Sequence, residues 1–131
     1  MREIKFRAWN KDNDEMVYSF DYPYHWNIGD LGLQLLESDG TDYVQQEAVF
    51  MQFTGMRYYN DKEEIYEHDV VKGTVFKKGK ESRFIGVVKY SSYPTPGFYV
   101  EGVKQYEDLK EGLHPLFKVI GNIHENPELV R

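Results

Sequence analysis

Cysteine is absent from the sequence, so the protein forms no disulfide bond and has no thiol chemistry. No stretch approaches the ~20 consecutive apolar residues that a membrane-spanning helix requires. The first residues also lack the apolar segment of a secretory signal peptide. These three absences predict a protein of the reducing cytoplasm that has no membrane contact.

The balance of charge is acidic, with 16 basic and 22 acidic side chains and a formal net charge of −6. Broad electrostatic affinity for nucleic acid requires cationic side chains that face the phosphates. The net charge therefore opposes nucleic-acid binding by the whole surface, although it leaves room for a local basic patch.

Sequence motifs that carry chemistry are also missing. There is no glycine-rich phosphate loop, no Gly-x-Ser-x-Gly nucleophile turn and no His-Glu-x-x-His zinc motif. The four histidines are His25, His68, His114 and His124. A metal site would need the fold to bring His68–Asp69 together with His124–Glu125, and we favour solvated turn histidines over such a site. The sequence thus predicts a protein that is not an enzyme and has no cofactor. The alternative is an enzyme whose site the motifs do not reveal.

What the sequence does contain is a series of short strand patterns. Apolar residues alternate with polar ones from Ile4 to Trp9 and again from Met16 to Phe20, which predicts a β-hairpin over residues 3–20. Apolar side chains occupy both faces of residues 84–90, which is typical of a central strand. Only residues 106–113 have an apolar spacing that suits one or two helical turns.

These patterns predict a mainly β fold: a small β-barrel with an SH3-like core over residues 49–125, an N-terminal β-hairpin and at most one short helix. At 131 residues the chain fits a single domain spanning 1–131. A turn over residues 38–42 suggests a boundary near residues 40–47 between two subdomains. They are a hairpin and interaction segment over 1–47 and the barrel over 48–131.

The densest local pattern lies between residues 50 and 71. An apolar run is expected to stop at Thr54-Gly55, a polar turn follows, and Asp69 precedes the pair Val70-Val71. We interpret Asp69 as a carboxylate that accepts backbone N–H groups in a turn while the two valines enter the core.

Four blocks of the sequence resemble the YopX family of phage and prophage proteins. They are Arg2–Trp9, Met51–Met56, Lys62–Val71 and Val119–Leu129, and they follow the family's order over nearly the whole chain. One departure is His68, which stands where the family pattern usually has glycine. If that turn requires a positive φ, His68 must adopt it, and histidine is one of the less reluctant residues in that conformation.

The resemblance implies a phage-encoded protein without an assigned activity, located in the cytoplasm of its bacterial host. It also implies self-association, because similar proteins of this family are thought to form ring-like homo-oligomers. Our leading hypothesis is accordingly a non-catalytic, β-rich, homo-oligomeric protein that acts by binding a protein partner.

Two groups of side chains are candidates for contact with partners. The first is aromatic and suits a protein interface, where Trp and Tyr are enriched, although core aromatics would give the same pattern; it consists of Trp9, Tyr22, Tyr24 and Trp26. The second is a basic run flanked by Phe76 and Phe84, which suits nucleic acid; it consists of Lys72, Lys77, Lys78, Lys80 and Arg83. Because the whole chain is acidic, a solvated hairpin tip is preferred for the second group, and a nucleic-acid-binding module is the alternative hypothesis.

Overall fold

The computed structural model describes residues 4–18, 21, 24–29, 32–59 and 63–131. Strands dominate these residues, and their helical part is limited to the 3₁₀ turns Lys104–Tyr106 and Pro127–Leu129. The mainly β fold predicted from the sequence is confirmed. The strands are β1 (Phe6–Asn10), β2 (Glu15–Tyr18), β3 (Tyr24–Gly29), β4 (Gly32–Ser38), β5 (Tyr43–Gln46), β6 (Ala48–Arg57), β7 (Glu64–Tyr66), β8 (Asp69–Lys77), β9 (Lys80–Ser91), β10 (Gly97–Gly102), β11 (Lys110–Gly112) and β12 (Lys118–Asn122).

The chain divides into two compact units, Glu3–Gln52 and Phe53–Arg131. The division falls within β6, which pairs with β1 through residues 48–52 and with β7 through residues 53–57. The turn-forming residues between 38 and 42 join β4 to β5 inside the first unit, where Asp39 accepts the N–H of Asp42 at 2.7 Å.

In the first unit, β1 pairs with β2 on one side and with β6 on the other, and β4 lies between β3 and β5. The β1–β2 pairing, with Trp9 opposite Met16, confirms the predicted N-terminal hairpin. Apolar residues from both sheets form a small buried core of Ala8, Val17 and Leu35. Burial of these side chains provides the apolar driving force that holds the two sheets together.

In the second unit, five strands pair in the order β11-β10-β9-β8-β12, and the sheet curls into a half-barrel. Its core centres on the fully buried Phe117, whose ring contacts Phe84 and His114 at centroid distances of 6.3 Å and 4.2 Å. A Cβ at Gly73 would lie 2.7 Å from Cδ1 of Phe117. Glycine in β8 therefore makes the space that this ring fills.

The strands β8 and β9 form a long hairpin that pairs residues 70–77 with residues 80–87. Its turn consists of Lys78 and Gly79, which have φ angles of 52° and 76°. Positive φ at both central residues gives a two-residue turn whose twist matches that of the flanking strands. The predicted charged hairpin tip is confirmed.

The prediction that the apolar run stops at Thr54-Gly55 was wrong. Strand β6 continues to Arg57 through an irregularity at which Gly55 takes a φ of 86°. The hydroxyl of Thr54 donates to the carbonyl of Ile65 at 2.7 Å and accepts the N–H of Met56 at 3.1 Å. These side-chain hydrogen bonds replace the interrupted strand pairing, so the strand bends instead of ending.

The helical interpretation of residues 106–113 was also wrong. The 3₁₀ turn ends at Tyr106, Asp108 takes a φ of 72°, and Lys110–Gly112 pairs with β10 as a short strand. A segment of this length gains little from helix formation by itself. The open edge of β10 offers it backbone hydrogen bonds that one helical turn cannot match.

The turn between β7 and β8 depends on the carboxylate predicted for it. Asp69 is 2% exposed, and its Oδ2 accepts the N–H of Tyr66 at 2.8 Å. Val70 and Val71 follow it and are fully buried. The predicted role of the carboxylate is confirmed, because Asp69 accepts a backbone N–H in the turn while the two valines enter the core.

Candidate interaction surfaces

The structure separates the five predicted basic residues into two places. Lys77, Lys78 and Lys80 lie at the exposed tip of the β8–β9 hairpin, and Lys77 forms a 2.6 Å ion pair with Glu111. Lys72 and Arg83 lie nearer the middle of the hairpin. The single basic loop suggested by the sequence is thus a tip and a separate patch on the sheet.

The patch lies on the outer face of the curled sheet. Lys72 is opposite Lys118 of β12 on one side and opposite Ile85 of β9 on the other. Arg83 is opposite Thr74, which lies two residues after Lys72 in β8. Residues two apart on a strand share a face, so these side chains point to the side opposite the buried Val71 and Val75.

The outer face is concave at this point and encloses a volume of about 580 Å³. Among the residues that the structure describes, three cations line it and no carboxylate does; the lining residues are Tyr58, Lys72, Gly73, Thr74, Arg83, Ile85, Leu116, Lys118 and Ile120. The ammonium of Lys118 lies 6.0 Å from the ring centroid of Tyr58. We call this group the basic concavity.

Sequence reasoning missed two members of the basic concavity. Lys118 of β12 and Tyr58, which follows the end of β6, are far from the basic run in sequence, so no local motif includes them. The usable signal was alternation: Lys118 is exposed beside the buried Phe117, which places the lysine on the outer face. The two aromatic residues that flank the basic run also lie in different environments. Phe76 is 75% exposed, whereas Phe84 is in the core and 1% exposed.

The predicted aromatic group lies in the first unit and is largely integrated into its packing. Trp9 is half-buried, and Tyr22 lies outside the described residues. Trp26 packs against the core of this unit, with its ring edge-on to Phe50 at 5.7 Å. The described members therefore have a structural role within the unit whatever further contacts they make.

Tyr24 is held by a small polar network. Its hydroxyl accepts hydrogen bonds from Asn10 at 3.2 Å and Asn13 at 3.0 Å, and it donates to Glu15 at 2.9 Å. Burial is the main cause that raises the pKa of Tyr24, and the carboxylate of Glu15 adds to it. The hydroxyl therefore stays protonated at neutral pH and can keep its role as donor.

The edges of the β3-β4-β5 sheet differ from those of the other sheets. Neither β3 nor β5 pairs with a described strand other than β4. Their sequences, Tyr24–Gly29 and Tyr43–Gln46, contain no Asp, Glu, Lys or Arg. All other edge strands of the described sheets carry charge: Glu15 in β2, Glu64 in β7, Lys110 and Glu111 in β11, and Lys118 in β12.

Two histidines that the sequence linked to a metal site do come together. Nδ1 of His68 lies 3.0 Å from Nε2 of His124, and the ring centroids are 5.2 Å apart. At that centroid distance the two nitrogens lie close to the line between the rings, as in an N–H···N hydrogen bond. Two imidazoles on one metal ion would instead direct their nitrogens to a third point.

The carboxylates of the suggested metal site have other partners. Asp69 accepts the Tyr66 N–H, and Glu125 accepts a 2.8 Å hydrogen bond from the amide of Asn122. Among the residues that the structure describes, no group of three or more His, Cys, Asp or Glu is arranged to hold a metal ion. His68 has a φ of 70°, so it does adopt the positive φ that its place in the turn requires.

Comparisons with known proteins agree with this architecture. The family model described as YopX protein matches residues 5–131. Protein EF1440 from Enterococcus faecalis has a crystal structure with a TM-score of 0.59 and 25% sequence identity, and the match covers 100% of both chains. Protein YopX from Bacillus subtilis has a TM-score of 0.59 and 22% identity, covering 100% of this chain and 98% of that one. The second likeness, at this identity, concerns the fold.

No curated protein matches the sequence. Within the described residues, no helix has the length and apolar character needed to cross a membrane.

Proposed function

The chain belongs to the YopX family, and we propose that it is a non-catalytic binding protein that self-associates into a ring-like homo-oligomer in the cytoplasm of a phage-infected or prophage-carrying bacterium. The uncharged edges of the β3-β4-β5 sheet carry this proposal. The lack of catalytic and nucleotide-binding motifs in the sequence supports the non-catalytic part, and no cofactor is proposed.

Exposed strand edges present unpaired backbone donors and acceptors to any other strand. Proteins that remain monomeric commonly protect such edges with charged side chains, proline or bulges. Here β5 instead exposes Tyr43 at 56% and Val44 at 53% beside its open backbone. Apolar side chains next to an open ladder favour addition of a strand from another chain.

The position of the two edges favours a ring over a two-fold dimer. The strands β3 and β5 lie on opposite sides of β4, so one copy offers two different surfaces. Pairing of β3 with β5 of the next copy is head-to-tail, and head-to-tail contacts close into rings when the rotation per subunit allows it. The aromatic residues Tyr24 and Trp26 of β3 would then lie at the joint, as the sequence hypothesis requires.

Light scattering at two protein and two salt concentrations tests self-association. We expect a mass several times 15.5 kDa that changes little with salt, because backbone pairing and apolar contact hold the joint. Val44→Lys places a charge on the β5 edge, and Asn27→Lys does the same on the β3 edge; both residues are exposed. Each variant should give a monomer, whereas the control Tyr93→Lys, at a side chain that is 85% exposed in a loop, should keep the wild-type mass.

Mixing the two edge variants tests the head-to-tail arrangement. Each variant keeps one intact edge, so the mixture should form a species of twice the chain mass and nothing larger. A β5-to-β5 dimer would leave Asn27→Lys fully associated, which would contradict the ring. A wild-type protein that is monomeric at every concentration would overturn the whole proposal.

A further inference from the structure

We propose that the basic concavity binds a nucleotide unit, with the phosphate on Lys72, Arg83 and Lys118 and the base against Tyr58. This site lies entirely in the second unit and uses none of the residues assigned to self-association. Two of its cations, Lys72 and Arg83, belong to the basic run that the sequence suggested, whereas the lysines of the hairpin tip do not line it.

The charge arrangement is the first argument. Lys72 and Lys118 are directly opposite each other on neighbouring strands, where like charges repel. Within the described chain, no carboxylate forms an ion pair with either lysine or with Arg83, although acidic side chains outnumber basic ones by 22 to 16. Three cations that share a concave surface without a counter-charge fit a ligand that carries negative charge.

The other lining residues indicate that the ligand has an apolar or aromatic part in addition to its negative charge. Tyr58 offers an aromatic face, and the apolar side chains Ile85, Leu116 and Ile120 complete the wall. Leu116 is 61% exposed, so its surface is available to a ligand. A phosphate alone would leave this apolar part unused, whereas a base stacks on aromatic side chains and a phosphate binds the cations beside it.

The form of the site favours an unpaired nucleotide over duplex DNA. In a duplex the base faces are stacked inside, so Tyr58 could not reach one. The net charge of −6 would also repel a long stretch of duplex. A single strand or a free nucleotide can place one phosphate and one base in the concavity, and the experiment below separates these two sources.

Fluorescence anisotropy with a labelled oligothymidine of about ten nucleotides tests the proposal. Wild-type protein should bind it with a slope of about −2 in a plot of log affinity against log salt concentration, since three cations would be engaged. The triple variant K72A/R83A/K118A should lower the affinity at least about tenfold and flatten this slope. The variant K77A/K78A/K80A is the matched control, because it removes the same charge from the hairpin tip, and it should change affinity by less than about threefold.

Tyr58 is tested separately. Tyr58→Leu should weaken binding at least about fivefold without changing the salt slope, and Tyr58→Phe should restore it, because stacking needs the ring and not the hydroxyl. Thermal melting of each variant confirms that it is folded. Thymidine monophosphate serves as the competitor: displacement at a concentration similar to that of the oligonucleotide identifies a free nucleotide as the ligand, and poor displacement identifies a strand.

Three outcomes would overturn the proposal. One is the absence of any binding by the wild-type protein at low salt. Another is equal loss of affinity in the two triple variants, which would transfer the site to the hairpin tip or to net charge alone. The last is tighter binding of a duplex than of the single strand, which would exclude the base contact with Tyr58.

Discussion

Nδ1 of His68 and Nε2 of His124 lie 3.0 Å apart, and this contact joins two turns that are far apart in the sequence. A backbone hydrogen bond joins the same two turns, since the N–H of Ile123 donates to the carbonyl of His68 at 3.1 Å. His68 keeps a φ of 70°, a conformation that glycine adopts at lower cost. We infer that the contact with His124 offsets part of that backbone cost.

A double-mutant cycle measures this coupling. In the wild-type background, His124→Ala should lower the free energy of unfolding by about 1 kcal/mol, the usual value of one hydrogen bond. In the His68→Gly background it should have almost no effect, because the partner ring is gone. Equal effects in the two backgrounds, measured by urea denaturation, would show that the rings do not interact.

Phe117 should be one of the most sensitive positions of the second unit. Phe117→Ala removes a fully buried ring and leaves a cavity, which typically lowers stability by about 3–5 kcal/mol. Phe76→Ala is the control, since Phe76 is 75% exposed and should change stability by less than about 0.5 kcal/mol. Chemical denaturation of both variants compares them directly; similar losses would contradict the assignment of this core.

Gly86 of the inner strand β9 and Gly112 of the edge strand β11 should respond differently to replacement by alanine. A Cβ at Gly86 would lie 2.5 Å from the carbonyl oxygen of Glu101, and a backbone atom has little freedom to move. We expect Gly86→Ala to cost at least about 2 kcal/mol. In the part of the chain that the structure describes, no atom would lie within 4 Å of a Cβ at Gly112, so Gly112→Ala should be nearly neutral. Melting temperatures of the two variants report the difference.

The ion pair between Lys89 and Glu101 makes the stability of the fold depend on pH. The hydrogen bond from Lys89, at 3.1 Å, is the main cause that lowers the pKa of Glu101. A carboxyl group with a lowered pKa in the folded state stabilises the fold above its unfolded pKa of about 4.3, and this contribution disappears as the pH falls through the folded value. The pair is partly exposed, so the contribution is small.

Titration of Glu101 by NMR provides the measurement. Lys89→Ala should raise the pKa of Glu101 towards its ordinary value, whereas Lys78→Ala, at the distant hairpin tip, should leave it unchanged. An unchanged pKa in Lys89→Ala would mean that other groups, such as Tyr99 and Lys110, dominate.

Local sequence patterns predicted the features that depend on near neighbours. Alternation located the β1–β2 hairpin, the run of charged residues indicated the tip of the β8–β9 hairpin, and turn chemistry explained Asp69. Each of these features depends on residues that are close together in the sequence, where periodicity and φ preferences are informative.

Features that depend on distant partners were not predictable in the same way. The bend of β6 depends on a hydrogen bond between Thr54 and Ile65, and β11 forms because β10 offers an open edge. The basic concavity combines Tyr58, Lys72 and Lys118 from three separate segments. Only the strand order of the sheet brings these residues together, and no periodicity encodes that order.

The opposed lysines of the basic concavity have a consequence for the melting temperature of the protein. Lys72 and Lys118 face each other across two paired strands, and a like-charge pair in this position lowers stability by a few tenths of a kcal/mol. Exchanging one of them for glutamate would replace repulsion by attraction and should make the sheet more heat-resistant. Such a substitution would also neutralise the positive charge of the basic concavity. At this pair of residues, a higher melting temperature should therefore come with a lower affinity for the ligand.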